Sequence, residues 1–284
     1  MRFFFSLLAL VTWSLVPHQA GAVGTDSPNE LPCGADTPCT IDGGEYYLMF
    51  PPDWDGDSPL PAMIYYHGHR SSGASVFRAG SLKEDFSKNG YLIIAPNGAK
   101  RPGSDVRAWP ARPAKGDQRD DVAFSLAVID DVSSKVPLDN NRLYASGFSA
   151  GGSMAWMMAC YAGDRFAGFA SVAGALRRPN PEQICPGGPV KLLQVHGFAD
   201  KQVPFEGRGI RDWHQGDLHE SFSLMRATNQ CRSNPDEIDV GEKFRCRTWG
   251  QSCENGALRM CIHDGGHGLP KGWTGLAREW FEKR

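Results

Sequence analysis

The run RLYASGFSAGGSMAWMMACYA, residues 142–162, passes from a strand-like apolar segment through Gly147-Phe148-Ser149-Ala150-Gly151 into a stretch rich in Met and Ala. The pentapeptide is a G-x-S-x-G lying between a strand and a helix, the context in which that pattern carries chemistry. Holding a serine oxygen at the tip of a sharp strand-to-helix turn strains the serine backbone, and only small neighbours let the helix start so close to the strand. Ser149 is therefore the expected nucleophile. The helix start lends its dipole to a developing oxyanion, with the Ala150 N–H as one donor. Ser153, inside the helix, is expected to bond back to a carbonyl of the preceding turn.

A hydroxyl is a poor nucleophile at neutral pH unless a base takes its proton. Of the eight histidines, His267 sits in a glycine-rich loop, His263-Asp264-Gly265-Gly266-His267-Gly268, after the apolar run 258–262 and before the last helical stretch. It is the expected general base. His214 and His219 read as surface positions. The carboxylate that fixes the imidazole tautomer belongs between nucleophile and base in the chain, and Asp200 follows the apolar run 192–195 in a short turn containing Gly197. Asp264 is its rival by proximity to His267, although it comes from the same loop. The second oxyanion donor is expected after an earlier strand, where AMIYYHGHRSSG, residues 62–73, turns at Gly68 and frees a main-chain N–H, that of His69. One H-x-H pair, His67 and His69, without a third ligand nearby makes no metal site, and no cofactor is expected.

Around this centre, strands are predicted at 46–50, 62–66, 92–95, 143–146, 168–172, 191–195, 244–248 and 258–262, and helices at 122–132, 152–161, 218–228 and 274–281. That alternation predicts an α/β fold, a mostly parallel central sheet with helices on both faces. The acidic pair Asp120 and Asp121 suits the N-terminus of the first helix. Trp109, Trp213 and Trp273 fall in loops after strands or beside His267, so they are candidates for the wall of a substrate pocket.

Residues 1–22, with Arg2, an apolar run from Phe3 to Val16 and then Ala20 and Ala22, read as a signal peptide; the run is short of the roughly 20 apolar residues a membrane span needs. One catalytic domain, 23–284, is expected to remain, secreted to an extracellular or periplasmic space without membrane attachment. All eight cysteines lie beyond residue 22, an even number that can oxidise completely there. Cys33 with Cys39 would close a Pro- and Gly-rich arm, and Cys246 with Cys261 would join two strands near His267. Cys160 with Cys185 and Cys231 with Cys253 are the remaining pairs. The formal net charge is -2 and no Lys/Arg block recurs along the chain, which argues against a nucleic-acid partner and for small-molecule or oligomeric substrates.

The segments YHGHRSSG, APNGAKRPGSDVRAW, DDVAFSLAVIDDV, DNNRLYASGFSAGGSMAW, VHGFADKQVPFEG and DGGHGLP resemble, in the same order, the α/β-hydrolase esterases that include secreted polyhydroxybutyrate depolymerases and feruloyl and acetyl xylan esterases. The resemblance runs from about Tyr46 to the C-terminus and implies ester hydrolysis through Ser149, Asp200 and His267. It departs at Ala150, where family members often have Asn, and at Leu269, where they often have Trp. No appended substrate-binding module is recognised, which turns the expectation toward soluble esters rather than solid polymer. A catalytically inactive binding protein and a serine peptidase on the same fold are the rival readings.

Overall fold

Runs of β-branched and aromatic residues lie side by side as a ten-stranded sheet in a computed structural model describing residues 33–78, 80–101, 103–210 and 213–283. The expected signal peptide and the start of the N-terminal arm lie outside the described residues. The chain enters through the antiparallel pair β1 (Cys39–Ile41) and β2 (Gly44–Met49), then β3 (Leu60–Tyr66), two short helices α1 (Gly73–Val76) and α2 (Gly80–Asp85), and β4 (Leu92–Pro96). A two-stranded ribbon, β5 (Ala99–Lys100) and β6 (Arg107–Ala108), precedes α3 (Asp121–Ser133). The centre follows as β7 (Leu138–Phe148), α4 (Ala150–Tyr161), β8 (Gly168–Val172) and β9 (Lys191–Gly197). A second ribbon, β10 (Arg208–Ile210) and β11 (Trp213–Gln215), leads to α5 (Leu218–Thr228), and the chain closes with β12 (Glu237–Val240), β13 (Arg245–Trp249), β14 (Ala257–His263) and α6 (Trp273–Glu282).

The strand order is β1-β2-β4-β3-β7-β8-β9-β14-β13-β12. From β4 to β14 every neighbouring pair is parallel, and antiparallel strands flank this block on both sides. Parallel strands covered on both faces are apolar throughout, and all seven residues of β3 are buried. Successive side chains point to opposite faces: Ala62, Ile64 and Tyr66 join the core under α3, α4 and α5, whereas Met63 and Tyr65 join the core under α2 and α6. The helices present matching stripes, Phe124, Val128 and Val132 on α3 and Leu218, Phe222 and Met225 on α5. Asp120 caps α3, accepting the N–H groups of Val122 and Ala123, as the acidic pair led us to expect.

The elements absent from the sequence reading are short, polar or exposed. All four residues of β12 are exposed, and the first part of β7, Asp139 to Arg142, is polar and only partly covered. Helix α4 begins at Ala150 rather than Gly152, because Ser149 itself is the residue at which the chain turns.

The sulfurs pair as Cys33–Cys39, Cys160–Cys185, Cys231–Cys253 and Cys246–Cys261. Cys246 and Cys261 stand opposite each other on β13 and β14. Cys160–Cys185 ties the end of α4 to the loop before β9 across a sequence separation of 25. Replacing both by Ala is expected to remove about 3 kcal/mol of stability and lower the melting temperature by roughly 6–12 °C, read by calorimetry at neutral pH. An unchanged melting temperature would mean that this bridge constrains nothing.

Candidate active site

Strand β7 ends in the turn that carries Ser149, whose backbone has φ 58° and ψ -116°, a conformation that side-chain-bearing residues rarely adopt. Two close approaches impose it. A Cβ on Gly151 would lie 1.9 Å from the Tyr66 carbonyl oxygen, and one on Gly147 would lie 2.3 Å from the Gly151 carbonyl oxygen. The end of β3, the end of β7 and the start of α4 are thus jammed together as only glycine permits. The Ser149 N–H donates to the Val172 carbonyl at 2.9 Å, which fixes the turn to β8. Ser153 does not bond back along its helix: its fully buried Oγ accepts the Ala175 N–H at 3.4 Å, joining α4 to the loop after β8.

His267 and Asp200, the expected base and acid, arrive from two loops that are stitched together. The Phe198 N–H donates to the His263 carbonyl at 2.7 Å and the Ala199 N–H to the Gly265 carbonyl at 3.1 Å. Gly197 makes the approach feasible, since a Cβ there would lie 2.4 Å from the carbonyl oxygens of both Gly265 and Gly266. His267 then reaches Ser149 Oγ through Nε2 at 2.8 Å and Asp200 Oδ2 through Nδ1 at 2.8 Å. Phe148 packs on the imidazole with ring centres 5.0 Å apart. Asp264, the sequence rival, is exposed and pairs with Arg245 at 2.7 Å.

Asp200 is 5% exposed. Burial alone would push its carboxyl up, but the hydrogen bond from His267 and those from the N–H groups of Val203 and Gln202 outweigh it and hold the group below the usual carboxylate range. Behind it runs a buried polar ladder that the sequence reading did not anticipate. Trp156 Nε1 donates to Gln194 Oε1 at 2.7 Å, Gln194 Nε2 donates to His196 Nδ1 at 2.9 Å, and His196 Nε2 donates to the Val203 carbonyl at 2.8 Å. Val203 is the residue whose N–H holds Asp200 Oδ1 at 2.9 Å. Two polar residues at alternate positions of the apolar strand LLQVHG were the available signal. His196 stays neutral here, with its pKa lowered chiefly by burial.

The loop after β3 carries His67 and His69, the second of which is the expected oxyanion donor. His67 is buried; its Nε2 accepts the Gly98 N–H at 3.0 Å, so Nδ1 carries the proton and donates to the Gly68 carbonyl at 2.7 Å. Both ring nitrogens are thereby engaged with backbone. His69 is exposed on the same loop. Gly68 packs against Phe148, its Cβ position 3.4 Å from the Phe148 ring, which brings this loop alongside the Ser149 turn. Ala150 opens α4, where the first N–H groups have no partner within the helix.

The tryptophans divide. Trp109 is 1% exposed, meets Tyr66 edge-on at 5.1 Å and, with Trp213, lines a cavity of about 550 Å³. Trp273 is no part of that wall: it packs on Tyr65 in the core beneath α6, because the start of that helix turns inward to cover the sheet. His214 is half-buried rather than at the surface, while His219 is exposed. Phe198 and Leu269, on the two stitched loops, are large apolar side chains left exposed.

The chain is 30% identical over 239 residues to feruloyl esterase B of Piromyces equi, which covers 80% of this chain and 43% of that one. It is 26% identical over 278 residues to feruloyl esterase C of Emericella nidulans, covering 94% and 91% of the two. It thus spans less than half of the first relative and nearly all of the second. Among solved structures, acetyl xylan esterase from Aspergillus awamori superposes with a TM-score of 0.63 at 15% identity, covering 84% of this chain and 94% of that one, a likeness of fold. No family model matches the chain. The architecture is the α/β-hydrolase fold. The relatives that it resembles in sequence over most of its own length are feruloyl esterases.

Burial, with Arg107 and Arg119 nearby, lowers His67 from 6.5 to about 4. The unfolded chain protonates this imidazole as pH falls below about 6.5, whereas the folded protein resists until about pH 4. The stability associated with His67 is therefore intact above that window and is lost across it as pH falls. The urea midpoint should drop between pH 7 and pH 4, and His67→Gln, whose side-chain carbonyl can still accept the Gly98 N–H, should flatten that dependence. An identical pH profile for the variant would refute this assignment.

Proposed function

We propose that the protein is a secreted serine esterase that hydrolyses carboxylic esters through an acyl-enzyme on Ser149. The observation that carries this reading is His267 bridging Ser149 Oγ and Asp200 Oδ2, at 2.8 Å on each side. Nε2 takes the hydroxyl proton as Ser149 Oγ attacks the acyl carbon, and the Asp200 carboxylate stabilises the imidazolium through Nδ1–H. The N–H groups of Ala150 and His69 receive the oxyanion. As the tetrahedral intermediate collapses, His267 gives its proton to the departing alcohol. Water then enters, loses a proton to His267 and releases the acid.

Export after cleavage near Ala22, with 23–284 as one catalytic domain, is supported by four cysteine pairs that suit an oxidising compartment. The relatives' names favour feruloyl and related esters, and exposed apolar side chains at Phe198 and Leu269, on the loops that carry Asp200 and His267, suit an acyl or aryl group. Soluble feruloyl, short-chain p-nitrophenyl and hydroxybutyrate oligomer esters are the proposed substrates. Crystalline polyester granules should be poor ones.

Ser149→Ala should abolish turnover and labelling by a fluorophosphonate while leaving the circular dichroism unchanged. Asp200→Asn should cut kcat by about 10⁴, the loss expected when the acid no longer holds the tautomer, whereas Asp264→Asn should stay near wild type. A severe loss in Asp264→Asn with a mild one in Asp200→Asn would move the acid. Steady-state rates on matched soluble and granular esters should favour the soluble ones. Rapid granule clearing without soluble-ester activity would defeat the substrate assignment.

A further inference from the structure

Beside the loop that carries His67 and His69 lies the cavity between Trp109 and Trp213, and its wall holds a cation with no counter-charge. Arg177 is 7% exposed. Its Nη1 donates to the carbonyls of Trp109 and Pro110 at 2.8 and 2.9 Å, which fixes the guanidinium, while among the described residues Nε has no partner and no carboxylate pairs with the group. A second buried donor on the same wall, Trp109 Nε1, is also unpartnered. Arg112 and Arg101 line the cavity too and make no ion pair among the described residues. Lys100 and Arg119, by contrast, are neutralised by Asp105 and Asp121, and the wall's carboxylate, Asp117, is exposed.

We infer that this cavity receives a carboxylate carried by the ester substrate, held by Arg177 with Arg112 and Arg101 around it and flanked by Trp109 and Trp213. Leaving a buried donor unsatisfied costs about 1–3 kcal/mol, more for a charged group, so two such donors on one wall call for an acceptor from outside the chain. With Nη1 anchored, the remaining edge of a planar guanidinium offers parallel N–H groups to the two oxygens of a carboxylate. The Arg177 and Arg112 guanidinium carbons sit 5.2 and 5.8 Å from the Trp213 ring centre, so both cations lie against one aromatic ring of the wall. Trp109 is 5.4 Å from the His67 ring, which ties the cavity to the loop beside the nucleophile. Electrostatics agree: burial first, then Arg112 and Arg101, lowers Arg177 to about 10, a strain that a bound anion relieves. Arg101 and Arg177 also act on His69, so a negative charge here lies within electrical reach of the oxyanion loop.

This inference deepens the esterase reading and rests on it for placing the anion on the substrate. The carboxylate has two chemical sources, a uronic acid of a polysaccharide or the free-acid end of a hydroxyacid oligomer. Binding is measured on the Ser149→Ala protein, by calorimetry and tryptophan fluorescence, with glucuronate and with the hydroxybutyrate dimer acid, each against its own methyl ester. At least one acid should bind about tenfold more tightly than its neutral ester at low ionic strength, and added salt should erode that advantage. The acid that does so identifies the source. Arg177→Lys keeps the charge but loses the fork and should lose most of the preference. Arg112→Gln, at a partly exposed position, should reduce it as well and serves if the buried variant fails to fold. Equal binding of acids and methyl esters, or a full preference in Arg112→Gln, would overturn the site. Acid binding without ester turnover by the wild-type protein would instead overturn the hydrolase reading while upholding the anion site.

Discussion

The contact between the first turn of α4 and the Tyr66 carbonyl governs the rest of the molecule. With 1.9 Å between that oxygen and a hypothetical Cβ on Gly151, the helix start, β3 and β7 share one small volume. The strain at Ser149 follows from that crowding, and so does the position of its hydroxyl above the carboxyl ends of the parallel strands. The surrounding sheet has to be rigid to keep a strained residue in place, and the apolar strands β3, β4, β8 and β9 supply that rigidity.

A second constraint acts on the opposite side of the serine. His267 and Asp200 come from separate loops, yet main-chain hydrogen bonds from Phe198 and Ala199 join those loops into one platform. Beneath it, the Trp156–Gln194–His196–Val203 ladder satisfies every polar group it names and ends on the amide that holds Asp200. Such a ladder in a low-dielectric interior specifies one geometry, because any shift leaves a buried donor or acceptor without a partner. Trp156 belongs to α4, so the helix after Ser149 and the loop of Asp200 are connected through the core as well as through His267.

How much of this was legible depended on how local the signal was. The strand 168–172 and the helix 218–228 coincide with β8 and α5, since apolar runs and helical periodicity are properties of short stretches. The turn at Ser149 was legible for the same reason: its glycines are adjacent to it. The polar start of β7 and the wholly exposed β12 carry no apolar pattern, and they are strands because a neighbour offers hydrogen bonds. Trp273 resembles a pocket residue by its closeness to His267 in the chain, but the turn into α6 points it at Tyr65. Gln194 and His196 were visible as oddities in an apolar strand, while their partners lie on α4 and on the loop after β9, out of reach of any local reading.

Helix α4 differs from α6 in a way that bears on how the protein can change. In α4 every residue from Ala150 to Cys160 is buried, whereas α6 keeps an exposed face. An all-round buried helix has no silent positions: a substitution there perturbs folding and the turn at Ser149 together. The β10–β11 ribbon bearing Trp213 is separate from the main sheet, so exchange there alters the cavity wall without disturbing the turn at Ser149. Divergence among descendants of this chain is thereby channelled, with the Ser149 turn held still and change gathering at the ribbons and loops.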